Sequence, residues 1–105
     1  MKESEIQTKI MNMLKKHPHV VFATVTTTGR VKYKGYWITL GFIGLADIIG
    51  QMRDGRTLAI EVKKPGEKPT DEQLDFLDMV QRNGGISGWC DSVEGAMEVI
   101  NGAKA

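Results

Sequence analysis

The sequence predicts a mixed α/β domain, with a mixed central β-sheet flanked by helices. Apolar residues recur at helical spacing in three segments, whereas other segments are short and rich in β-branched residues. Along the chain these segments follow the order α-β-β-β-β-α-β-α. The last strand follows a crossover helix, so it can run parallel to the strand before that helix. With 105 residues, the chain is expected to form a single domain, 1–105.

The first half of the chain is predicted to contain one helix and two strands. Apolar residues at helical spacing indicate a helix over 4–16, and Pro18 prevents its continuation. The β-branched content of residues 20–25 predicts a strand. Residues 26–30 are expected to form a turn or loop, and residues 31–40 a further strand that alternates in part.

The second half is predicted to contain a hairpin, two helices and a final strand between them. The helix over 70–83 carries apolar residues at helical spacing and ends at the glycine pair 84–85. A short strand over 86–90 follows. Ser92 is a suitable N-cap for the last helix.

The hairpin over 47–63 turns at Arg53-Asp54-Gly55, and its register decides which side chains meet. A two-residue turn would place Asp47 opposite Val62, among the apolar residues. A three-residue loop with a left-handed glycine would instead place Asp47 opposite Glu61. The second register keeps the apolar residues on one face of the sheet, as a half-buried sheet requires, and it is the one we predict.

This register pairs Ile48 with Ile60 and gathers Asp47, Glu61 and Lys63 on the other face. Opposed like charges destabilise a sheet, and a divalent cation between the carboxylates would turn that penalty into a binding site. Mg²⁺ prefers such oxygen ligands, together with waters and phosphate oxygens. Lys63 would then orient water or stabilise negative charge. The alternative is an ordinary strand face exposed to water.

Gly44-Leu45-Ala46-Asp47 followed by Glu61-Val62-Lys63 resembles the signature of PD-(D/E)XK nucleases, with its "PD" reduced to Ala46-Asp47. Within that superfamily the chain is most similar to the virus-type replication-repair nuclease family, VRR-NUC, in its stand-alone form. Further segments resemble this family's helical glutamate motif, its loop and glutamine helix, and its terminal strand and helix: residues 3–7, 64–65, 70–73, 84–88 and 91–94.

The resemblance implies a restriction-endonuclease-like fold and Mg²⁺- or Mn²⁺-dependent hydrolysis of DNA. Asp47 and Glu61 match the metal ligands, the Val62 carbonyl a further ligand, and Lys63 the catalytic lysine, with Glu5 and Gln73 in accessory positions at the catalytic site. Single-domain relatives are expected to be homodimers that cut branched DNA such as four-way junctions. The implied setting is phage replication, recombination or repair, without a small-molecule cofactor.

The two accessory residues also have structural interpretations. Thr70 and Gln73 fit a capping box, in which the glutamine side chain reaches back to the threonine amide. Glu5 lies in a first helical turn, where a carboxylate suits the helix dipole.

Five cations are candidate DNA contacts. Arg30, Lys32 and Lys34 alternate along a strand, where they would bind phosphates or protect an exposed edge from pairing. Lys64 and Lys68 flank the candidate site in a loop and would attract phosphate groups.

A net charge of +1 provides no strong field for nucleic acid, so two other classes stay open. One is a non-catalytic DNA-binding module of this fold, and the other is a phage accessory factor that binds protein.

The single cysteine, Cys90, indicates a reducing compartment. With no segment that resembles a signal peptide or a membrane span, the expected location is the cytoplasm, that of the host cell if phage-encoded.

Overall fold

In the computed structural model, the chain folds around a mixed sheet, as predicted. Residues 1–27 and 29–102 are those that the structure describes. In order they form α1 (Glu3–Lys16), β1 (Val20–Val25), β2 (Gly29–Tyr33), β3 (Tyr36–Leu40), β4 (Ile48–Met52), β5 (Thr57–Val62), α2 (Asp71–Arg82), β6 (Ile86–Cys90) and α3 (Val93–Gly102). No helix in these two stretches is long and apolar enough to cross a bilayer.

The main sheet has four strands in the order β1-β4-β5-β6. β4 runs antiparallel to both β1 and β5, whereas β6 runs parallel to β5. The parallel pair follows from α2, which carries the chain back across the sheet between β5 and β6. The predicted mixed sheet and the parallel last strand are both confirmed.

Both faces of the sheet are covered at its centre, so β5 is buried along nearly its whole length. On one face, alternate residues of β4 and β5 pack with α1 and α3 in the larger core: Ile6, Ile10, Leu14, Ile48, Leu58, Ile60, Val62, Ala96 and Ile100. On the other face, Ala59 packs with Ala46 and with Leu77 and Val80 of α2. Glu61 alternates with Ile60 and Val62, so it lies on the α2 side.

The predicted hairpin register is confirmed. Ile48 pairs with Ile60, and the Met52 N–H donates to the Arg56 carbonyl at 2.8 Å. Gly55 has φ +94°, which is the left-handed residue that a three-residue loop requires. This register sets Asp47, one residue before β4, level with Glu61.

The predicted single strand over 31–40 is wrong in one respect, because the chain reverses direction within it. Lys34 and Gly35 have φ +48° and +84°, and they join β2 to β3 as a tight hairpin. This hairpin, the β2–β3 arm, forms a two-stranded sheet of its own. β2 begins at Gly29, inside the predicted loop; Thr28 of that loop lies outside the described residues. The Lys-Gly pair was the local signal for the turn.

Candidate functional site

Asp47, Glu61 and Lys63 form one connected cluster at the end of β5. The Asp47 N–H donates to Glu61 Oε1 at 3.2 Å, and the Val62 N–H donates to Asp47 Oδ2 at 2.9 Å. Lys63 Nζ lies 3.2 Å from Glu61 Oε2. Each carboxylate is therefore held by the main chain of the strand that carries the other, and both take defined positions.

Glu61 is buried, with 1% of its surface exposed. Burial, and then the charge of the nearby Asp47 carboxylate, raise the pKa of Glu61 from 4.5 to about 7, while Lys63 opposes this rise. The ionised form of Glu61 is therefore poorly stabilised, because the side chain is shielded from water and the Lys63 ammonium group offsets only part of that loss. A buried carboxylate with a raised pKa beside a second carboxylate is typical of a functional site.

The donor set of this cluster suits Mg²⁺ or Mn²⁺. Mg²⁺ is commonly bound through one or two carboxylates, with waters and substrate phosphate oxygens completing its shell. Asp47 and Glu61 provide two carboxylates, and the hydrogen bond from Val62 holds its main chain beside them. Among the described residues, no three His, Cys, Asp or Glu side chains form a group able to hold an ion, so no all-protein cage is present there.

A third carboxylate, that of Glu3 on α1, lies within electrostatic range of the cluster. Burial raises the pKa of Glu3, as does the charge of Asp47, whereas Lys63 lowers it. Glu5 is on the exposed side of the helix, and its predicted site role stays a prediction. Sequence reasoning missed Glu3, although Glu3 precedes Ile6 and Ile10 at helical spacing and so lies on the buried stripe.

Gln73 forms the predicted capping box, and its predicted role in the site stays a prediction. Its Oε1 accepts from the Thr70 N–H at 2.9 Å, and its own N–H donates to Thr70 Oγ1 at 3.2 Å, which confirms the capping box. The same residue lines a cavity of about 300 Å³ together with Asp47. Because the cap uses Oε1, Nε2 is the group with which Gln73 would serve the cavity.

The β2–β3 arm presents the first three predicted cations on its surface. The Arg30 guanidinium lies 4.9 Å from the centre of the Trp37 ring, and Lys32 Nζ lies 6.0 Å from it. Lys34 lies at the turn, where its Nζ is 5.4 Å from the Tyr33 ring. Arg30 also lines the cavity beside Asp47, so the arm connects this cavity to a cationic surface.

The remaining two cations lie in the loop between β5 and α2. Lys64 Nζ forms an exposed ion pair with Glu67 at 3.2 Å, and the charge of Lys64 also acts on Glu3. Lys68 is exposed. The Lys64 pair contributes little stability because it is exposed, so this lysine can exchange Glu67 for a phosphate group.

Gly44 sets the path of the chain into Asp47. Its φ is +93°, and an added Cβ would lie well inside van der Waals contact of the Glu72 carbonyl oxygen. Gly44→Ala should therefore lower the free energy of unfolding in urea by about 2 kcal/mol or more. Gly84→Ala is the matched control, because Gly84 has φ +90° in open space and tests the conformational penalty alone. Equal losses in both variants would contradict the close contact of Gly44 with α2.

The comparison with known families agrees with this geometry. The sequence profile of the VRR-NUC domain matches residues 37–94, more than half of the chain. The chain belongs to the VRR-NUC domain family. The matched segment includes Asp47, Glu61, Lys63 and Gln73, and it begins after Arg30. VRR-NUC is a nuclease-related family, so nucleic acid is the class of substrate that membership implies.

Solved structures of VRR-NUC proteins share the fold over nearly the whole chain. One, described as a VRR_NUC domain, is 18% identical with a TM-score of 0.61, and the alignment covers 94% of each chain. Another, described as a VRR_NUC domain protein, is 21% identical with a TM-score of 0.63, over 96% of this chain and 86% of the other. At these identities the likeness shows the fold alone. None of the curated proteins compared matches the sequence.

Proposed function

We propose that this VRR-NUC protein is a metal-dependent DNA endonuclease. The observation that carries the proposal is a pair of adjacent carboxylates, the buried Glu61 and the half-buried Asp47, fixed by reciprocal hydrogen bonds from the main chain. Among the described residues, Lys63 is the cation paired with Glu61, and one ammonium group does not balance two carboxylates, so this pair suits a divalent cation. A purely structural cluster would gain nothing from a second carboxylate next to a buried one.

Asp47, Glu61 and the Val62 carbonyl would hold Mg²⁺ or Mn²⁺. When bound, the ion supplies polarisation of the scissile phosphate and a lowered pKa of the attacking water. Lys63, held at 3.2 Å from Glu61, orients that water or stabilises the charge that develops on the phosphate. Gln73 contributes an amide donor at the cavity wall, and Glu3 or Glu5 contributes a carboxylate from α1.

The substrate we propose is branched DNA such as a four-way junction, cut during phage replication, recombination or repair in the host cytoplasm. Arg30, Lys32 and Lys34 on the β2–β3 arm would bind phosphates on one side of the site. Lys64 and Lys68 would bind them on the other. A homodimer would supply two symmetric sites for paired cuts.

The experiment compares cleavage of an end-labelled four-way junction and a linear duplex of the same sequence, in Mg²⁺, Mn²⁺ or EDTA. The wild-type protein should cut the junction only when metal is present. Asp47→Asn, which keeps the side-chain shape but removes the charge, should lower the rate by about 1,000-fold or more.

Three outcomes would change the proposal. Cleavage of both substrates would keep the nuclease and remove the preference for branches. Binding to the junction without cleavage in either metal would leave a DNA-binding module. Unchanged cleavage by Asp47→Asn would exclude the carboxylate pair as the active centre.

A further inference from the structure

Phe42 and Ile43 expose large apolar surfaces beside the candidate site. Phe42 is 54% exposed and Ile43 is 81% exposed. The Phe42 ring rests partly on Phe76, with ring centres 5.5 Å apart, whereas Ile43 projects beyond it. Neither residue belongs to either of the two hydrophobic cores. Exposed apolar patches next to a polar cavity are typical of binding sites.

The turn that carries these residues has a defined shape. The Leu45 N–H donates to the Phe42 carbonyl at 3.2 Å, which closes a turn over residues 42–45. Gly41 and Gly44, with φ +67° and +93°, set the direction of the chain on either side. Because Gly44 also lies against the main chain of Glu72, the turn is anchored to α2. Ile43 is thus presented at a fixed corner.

The turn forms one wall of the cavity that reaches Asp47. This cavity has a volume of about 300 Å³ and is lined on its apolar side by Phe42, Ile43 and Leu45 and on its polar side by Arg30, Asp47 and Gln73. Its size lies at the lower end of the range for small-ligand sites, about 300–1,000 Å³. One flat, partly polar group fits such a place better than an extended chain.

The side chains that line the cavity are chemically suited to a nucleotide. The apolar side suits the face of an unstacked base, and the amide of Gln73 suits a base edge. Arg30, which lies over Trp37 and lines the same cavity, would offer a cation to the phosphate of that nucleotide. The phosphate and the carboxylate pair would then be neighbours, as cleavage requires.

We propose that the turn over residues 42–45 is a wedge that unstacks one base next to the scissile phosphate, and that the cavity beside Asp47 receives this base. The inference rests on the proposed nuclease function and names how the substrate is selected. Apolar side chains that enter a base step must offset the loss of stacking. That loss is smaller where stacking is already interrupted, as at a branch point, and smallest at an unpaired base, so the wedge favours branch points over a continuous duplex.

The test uses a four-way junction with 2-aminopurine at its branch point, whose fluorescence rises when the base is unstacked. Binding is followed by anisotropy in EDTA, so no cleavage is needed. Wild-type protein should raise the fluorescence at saturation, and Ile43→Ser should reduce the rise at least about threefold. Val21→Ser is the matched control, because Val21 is an exposed residue at the opposite end of β1 from the site and should leave the rise unchanged.

Cleavage supplies a second readout. Ile43→Ser should cut a fully paired junction about 10- to 100-fold more slowly than wild type, yet approach the wild-type rate when the branch-point bases are mismatched. Rescue by the mismatch distinguishes a wedge from a residue that only supports the fold.

Three results would overturn the wedge. Binding and metal-dependent cleavage without a fluorescence rise would remove it while leaving the nuclease intact. A change from dimer to monomer in Ile43→Ser, measured by solution mass, would make the patch a subunit contact. Absence of any junction binding would remove the wedge together with its DNA substrate.

Discussion

Replacing Glu61 by glutamine should abolish cleavage and, in metal-free buffer above pH 7, make the protein more stable. Glu61 is fully buried beside Asp47, and burial raises its pKa to about 7. Glutamine keeps the shape and the acceptor for the Asp47 N–H but carries no charge. The variant therefore loses a metal ligand and is relieved of a buried charge.

The pH dependence has a definite sign. The folded protein binds a proton at Glu61 more tightly than the unfolded chain does, because the pKa rises from 4.5 to about 7 on folding. Stability is therefore lost as pH rises through this window, and the ionised side chain costs about 3 kcal/mol above it. The advantage of Glu61→Gln over wild type should be absent below pH 4.5 and complete above pH 7.

Urea unfolding in EDTA at pH 4.5 and pH 8 measures this difference. Glu98→Gln, which removes an exposed carboxylate on α3, is the control and should follow wild type. Adding Mn²⁺ at pH 8 should stabilise wild type, since the ion binds only the folded chain, and should leave Glu61→Gln unchanged. A Glu61→Gln protein less stable than wild type at pH 8 would contradict the buried-charge argument.

Replacing Lys63 by methionine should lower kcat for junction cleavage by about 100- to 1,000-fold while preserving metal binding. The Lys63 side chain is 13% exposed and points its ammonium group at Glu61. Methionine fills similar space without the charge. Because the carboxylates remain, the ion still binds, and only stabilisation of charge during cleavage is lost.

Two measurements separate these effects. Single-turnover cleavage reports the chemical step, and the rise of Tm with Mn²⁺ reports metal binding. Lys15→Met, at an exposed position on α1, should match wild type in both. A Lys63→Met protein that cuts at the wild-type rate would remove Lys63 from catalysis. A protein that cuts slowly and also loses the Mn²⁺ response would assign Lys63 a structural role.

The core of the candidate site was readable from the sequence because it depends on local rules. A strand alternates its side chains between two faces, and a three-residue loop needs a left-handed residue such as Gly55. These two rules place Asp47 level with Glu61, as the structure confirms. The capping box of Gln73 is equally local, since both of its hydrogen bonds join residues three positions apart.

Other features depended on contacts between distant segments. Glu3 lies within electrostatic range of Asp47 only because α1 packs against the sheet. The exposure of Ile43 and the cavity beside Asp47 arise where the turn over 42–45, the β2–β3 arm and α2 meet. No periodicity within any one of these segments encodes their mutual distance.

The sequence by itself thus determined the α/β class, the parallel last strand, the hairpin register and the pairing of two carboxylates with a lysine. The tertiary structure alone decided which helical glutamate approaches the cluster, how the β2–β3 arm stands apart from the main sheet, and which apolar side chains border the site. The physical reason is the distance along the chain over which each interaction acts. Register and caps are set within a few residues by backbone hydrogen bonding, whereas packing of helices and loops on a sheet depends on the whole core at once.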